Sequence, residues 1–139
     1  MDYRAQFQAI RRRPQLYGLD GSYGQFCAYL SGLDAGNDGR LLTGFREWLV
    51  TRLGDGNNLT WAGLVIHLAR PDGPSSGREA VESADRDPAV IAKLFELLDE
   101  FFELTVRPGD VVRIYDEYLT WLKAQSWYRP PQVGPRAVG

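Results

Sequence analysis

From Asp87 to Thr105 the chain reads DPAVIAKLFELLDEFFELT. Apolar residues fall at Ile91, Leu94, Phe95, Leu98, Phe101 and Phe102, in steps of three and four. That spacing places them on one side of a helix, and the paired phenylalanines broaden that side. Asp87 is suited to accept from the first free amides and Pro88 to occupy the first helical position. Arg107-Pro108-Gly109 ends the segment. The pattern predicts a central helix touched by several others.

Similar spacing recurs along the chain. Tyr3, Phe7 and Ile10 predict a first helix over Asp2–Arg12, capped by Asp2 and closed by Arg11, Arg12 and Arg13, whose charge complements the helix dipole. Pro14 breaks it into a turn anchored by Leu16 and Tyr17, with Gly18 and Gly21 free to take positive φ. Ser22 opens a second helix to about Asp34, carrying Tyr23, Phe26, Cys27, Leu30 and Leu33. Gly32 weakens its end or admits a neighbouring backbone. A third helix is predicted over Arg40–Leu53, with Leu41, Leu42, Phe45, Trp48 and Leu49 inside.

Thr60 caps a fourth helix containing Trp61, Leu64, Val65 and Leu68. The run Leu64–Leu68 also suits a buried strand, but length and context favour the helix. Arg70–Arg86 reads as a long loop with a single helical turn at Arg78–Ser83. The final helix is predicted over Asp110–Ser126. Val111, Val112, Tyr115, Tyr118, Leu119 and Leu122 form its inner side, and the short connection lays it antiparallel on the central helix. Trp127 and Tyr128 pin its end, and Arg129–Gly139 forms a flexible tail. The fold class is therefore all-α: one helical domain over residues 1–128 with five or six helices, then a tail over 129–139.

Composition supports a packed globule. The chain has 139 residues, 44% of them hydrophobic, with 4 Trp, 7 Tyr and 6 Phe. Its 16 basic and 18 acidic residues give no electrostatic case for general nucleic-acid binding. The N-terminal stretch lacks the apolar centre of a secretory signal, and no apolar run is long enough to span a bilayer. With one cysteine, Cys27, no internal disulfide can form. These features point to a cytoplasmic protein that does not engage a membrane.

Candidate chemistry is sparse. Cys27 sits among apolar neighbours and reads as a small core residue. His67, the single histidine, has no companions at metal-ligand spacing and no serine or acid placed to complete a triad. No phosphate-cradling pattern with its lysine is present. The reading is a non-enzyme with no cofactor and no metal.

What stands out is charge. Glu96, Asp99, Glu100 and Glu103 form one stripe on the outer side of the central helix, and Asp116 and Glu117 extend it. Like charges so spaced repel by a few tenths of a kcal/mol each. This cost is compatible with a surface kept for a cationic protein partner, and a plain solvated face is the competing reading.

Three signatures stand in order along the chain: Arg13-Pro14-x-x-Tyr17, Phe45-Arg46-Glu47-Trp48-Leu49 followed by Trp61, and Phe95-Glu96-Leu97-Leu98-Asp99-Glu100-Phe101. This layout, from Asp2 to about Leu122, resembles small bacterial immunity proteins of polymorphic or contact-dependent toxin systems. Gln15 and Leu16 stand where those relatives carry Gly-Met. The resemblance implies an immunity or antitoxin-type protein that occludes a cognate toxin, with nucleases among the candidate toxins. The acidic residues above are the expected contacts. The alternative reading is a helical adaptor or regulatory interaction module.

Overall fold

Seven α-helices and no strand occur among the residues that the computed structural model describes, 2–73 and 77–132. They are α1 (Tyr3–Arg12), α2 (Tyr23–Gly36), α3 (Phe45–Leu53), α4 (Trp61–Ala69), α5 (Gly77–Ala84), α6 (Pro88–Leu104) and α7 (Pro108–Lys123), with a 3-10 turn at Pro14–Tyr17. The all-α class holds, with one or two more helices than the sequence pattern predicted.

Side-chain caps start four of these helices where the sequence placed them. Asp2 accepts from the Ala5 amide at 3.1 Å, Ser22 from Gln25 at 3.3 Å, Thr60 from Gly63 at 3.2 Å and Asp87 from Ala89 at 2.9 Å. Each satisfies an amide that the first helical turn leaves free, for about 1 kcal/mol.

Helix α6 packs on α4 and α1. It buries Val90, Leu94, Phe95, Leu97, Leu98 and Phe101, while Ile91 and Phe102 are only partly covered. The buried face is thus wider than the predicted stripe, because neighbours cover it from more than one direction. Phe101 is the hub of an aromatic cluster, with ring centres 5.1 Å from Phe45, 5.8 Å from Trp48 and 5.6 Å from Phe102. Phe7 of α1 joins through Phe102 at 5.5 Å. Burying a side chain of this size stabilises by about 1.5–3 kcal/mol.

Several expectations need correction. The third helix begins at Phe45, not Arg40, because Gly39 and Gly44 are both left-handed, at φ 73° and 86°. Leu41 and Leu42 are still buried, and the Leu42 amide donates to Asp34 Oδ1 at 2.8 Å. Gly32 admits no neighbouring backbone, and its helix runs on to Gly36. Leu16 is exposed and Tyr17 rests edge-on against Tyr29, so neither anchors the turn inward.

The predicted 70–86 loop holds a two-turn helix. Ala80 and Ala84, one turn apart, bury small side chains, and Arg70 donates to Ala80 O and Ser83 Oγ. Residues 74–76 of that loop and 133–139 of the predicted tail lie outside the described residues.

Helix α6 ends at Leu104, ahead of the predicted stop at Arg107-Pro108-Gly109, and α7 begins at Pro108, two residues before the predicted Asp110. Proline suits the first helical position, and Asp110 accepts from the Arg107 amide at 2.9 Å. The helix ends at Lys123 and packs principally on α3, not along α6. Its covered side is Ile114, with Tyr118 and Trp121 partly covered. Val112, Tyr115 and Leu119, predicted inside, are exposed.

Candidate functional site

The two groups that could have carried chemistry are kept apart. Cys27, on α2, is packed against the core. It lines a surface groove of about 570 Å³ with Ser31, Arg46, Asn58, Thr60 and Trp61. His67 lines neither this groove nor the adjoining one of about 370 Å³. Its Nδ1 is enclosed in α4 without a hydrogen-bond partner among the described residues. Burial pushes the Cys27 thiol up to about 12, which disfavours the thiolate a nucleophile needs. Arg46, the one cation among the described residues that line the groove, donates to the Leu59 and Asn57 carbonyls and so braces the loop before α4. Among the described residues no three His, Cys, Asp or Glu side chains gather as a metal-binding group.

The acidic stripe is partly engaged from within. Arg4 of α1 donates to Asp99 at 2.8 Å, Arg52 of α3 reaches Glu100 at 2.5 Å, and Lys93 lies 3.5 Å from Glu96 one turn earlier. The hydrogen bond from Arg4 holds the Asp99 carboxyl below the usual carboxylate range, with the guanidinium charge adding to it. Arg52 also stacks over Trp48 at 5.4 Å, so its cation is shared between an aromatic face and Glu100. Glu103, Asp116 and Glu117 are exposed and join no ion pair among the described residues. Because α7 lies on α3, Asp116 and Glu117 are not ranged beside the α6 carboxylates by a helix pairing.

Sequence reasoning missed an apolar surface. Val112 is 68% exposed, Tyr115 37% and Leu119 44%, and all three fall on one stripe of α7. Leu104 and Val106, just before this helix, are 50% and 76% exposed. The signal was present but ambiguous. Helix α7 carries two apolar series at the same spacing, one running Val111, Ile114, Tyr118, Trp121 and the other Val112, Tyr115, Leu119, Leu122. Only the packing against α3 selects the first as the covered one. Tyr115 marks the border: burial, and then the neighbouring Glu47 carboxylate of α3, raise its phenol above the usual value.

The arginine run at the end of α1 divides in the same way. Arg11 lies over the Phe95 ring at 5.7 Å, whereas Arg12 and Arg13 flank a shallow groove beside Leu16 and Tyr17.

Comparison of the chain with protein-family models, curated proteins and solved structures finds no match in any of the three. No helix among the described residues is long and apolar enough to cross a membrane.

Proposed function

We propose that this protein is an immunity or antitoxin-type inhibitor of bacterial origin. It acts in the cytoplasm by binding a cognate toxin and covering its active site, without chemistry of its own. The observation that carries this reading is the exposed acidic exterior: Glu96, Glu103, Asp116 and Glu117 project from α6 and α7. The order of the three sequence signatures adds to it. Carboxylates of this kind speed encounter with a basic partner and weaken as salt screens them. Asp99 and Glu100, half-engaged by Arg4 and Arg52, contribute through the outer side of α6, beside Glu96 and Glu103, once a partner cation competes for them. A basic nuclease is one toxin that fits.

The proposal requires a toxin gene beside this one, and co-expression with that gene's product in a bacterial host tests it. Growth should be restored when both proteins are made. Growth arrest with both proteins present and soluble contradicts it.

A helical adaptor module is the second reading. The exposed side chains of Val112, Tyr115 and Leu119 favour it, since contiguous apolar surface on a small domain commonly marks a contact.

A further inference from the structure

The outer stripe of α7 is complementary to itself. Val112, Tyr115 and Leu119 run along it, all exposed. Asp116 and Lys123 follow its solvent-side border, both exposed. They are seven residues apart, two helical turns, so they fall on nearly the same line about 10 Å from one another. Leu119 lies between them. No ion pair among the described residues includes Asp116 or Lys123.

One charge of each sign, three residues before and four after Leu119, is the arrangement an antiparallel copy of the same helix matches. We propose that two copies of this chain pair through α7, with a twofold axis beside Leu119. Each Asp116 then faces Lys123 of the other copy, so the two ion pairs form together. An interface of this kind is isologous: one patch meets itself and the assembly closes at two. Like charges would meet if the second helix ran parallel in this register, so the charges also select the direction. This assembly goes beyond the inhibitor reading and does not rest on it; it withdraws Asp116 from the toxin-facing exterior and leaves Glu96, Glu103 and Glu117 exposed there.

The full chain is tested by sedimentation equilibrium at low salt, over concentrations up to millimolar. Wild type should be a dimer, and Leu119→Lys a monomer with unchanged helical circular dichroism. Asp116→Lys and Lys123→Asp should each weaken self-association by more than about tenfold, because each places like charges at both ends of the contact. Mixed together, those two variants should pair with each other, since one copy now carries two lysines and the other two aspartates. Misfolding cannot produce that rescue. A wild-type chain that stays monomeric throughout overturns the proposal, whether or not it binds a different protein. So does a dimer indifferent to all three substitutions, or a mixture in which the two charge variants show no preference for each other.

Discussion

Arg4 and Asp99, 95 residues apart in the chain, meet at 2.8 Å and join α1 to the outer side of α6. Asp99 therefore belongs to the fold as well as to the proposed contact face. Its carboxyl is held below its usual value chiefly by the hydrogen bond from Arg4. Asp20 is depressed too, through hydrogen bonds from Ser22 and then the nearby Arg86. A depressed carboxyl contributes stability that is present above its unfolded value, about 3.9, and is lost as pH falls through the lower folded value. Urea midpoints of wild type should fall as pH drops below about 4, and the Asp20→Asn/Asp99→Asn variant should show a flatter acid limb. Identical acid limbs would show that neither carboxylate is linked to folding.

Phe101 has the largest consequence among single core positions. It is 1% exposed and touches the rings of Phe45, Trp48 and Phe102. Phe101→Ala should destabilise by about 3–5 kcal/mol, as truncation leaves a cavity among side chains that cannot all collapse into it. Equilibrium urea unfolding measures this. A loss below about 1 kcal/mol would mean the cluster is not packed as described.

Tyr23 supplies a buried polar link between helices. Its hydroxyl donates to the Ala62 carbonyl at 2.6 Å and the residue is 2% exposed. Tyr23→Phe keeps the ring and removes the donor, so the part-buried Ala62 carbonyl at the start of α4 loses its contact with the hydroxyl. The expected cost is about 0.5–1.5 kcal/mol. A neutral result would indicate that water replaces the hydroxyl.

The half-buried Cys27 thiol gives a kinetic test. With its value pushed up to about 12 by burial, little thiolate is present near pH 8. Alkylation by iodoacetamide should be at least about a hundredfold slower in the folded chain than in urea. A raised thiol also contributes stability that is complete below its unfolded value, about 8.5, and is lost as pH climbs towards the folded one. Rapid alkylation of the folded chain would reopen the case for a nucleophile.

Two glycines should respond in opposite directions to alanine. At Gly56, φ is +82° and an added Cβ would lie 2.7 Å from Leu64 Cδ2. Gly56→Ala should cost more than about 1 kcal/mol through backbone strain and collision. Gly32 is helical with open space around it, so Gly32→Ala should stabilise by up to about 1 kcal/mol. Thermal unfolding of the pair separates conformational from packing effects.

How legible the fold was depended on what each signal rested on. Caps at Asp2, Ser22, Thr60 and Asp87 were readable because a side chain and its own backbone decide them. The central helix was readable from its caps and its apolar spacing, but Val90 and Leu97 are buried outside the predicted stripe while Ile91 and Phe102 are only partly covered, because only the neighbours decide how far round the helix the covered face extends. Helix α5 was under-read because its buried side is two alanines, which carry little hydrophobic contrast. The start of α3 was misread because Leu41 and Leu42 are buried from a loop that continues the apolar run without being helical. At the candidate site, the carboxylates were visible in the sequence, but the cations opposing Asp99 and Glu100 come from α1 and α3, remote in the chain. The exposed stripe of α7 was hidden by its twin, and only the position of α3 separates them.

The central claim is that this helical chain recognises a basic protein through its acidic exterior. Titration of the cognate toxin against wild type and against Glu96→Lys/Asp99→Lys/Glu103→Lys, at low and at high salt, tests it most directly. Affinity should fall by much more than about tenfold for the variant at low salt, and the gap should narrow as salt screens the charges. Equal affinities at low salt, with the variant's helical circular dichroism unchanged, would contradict the account.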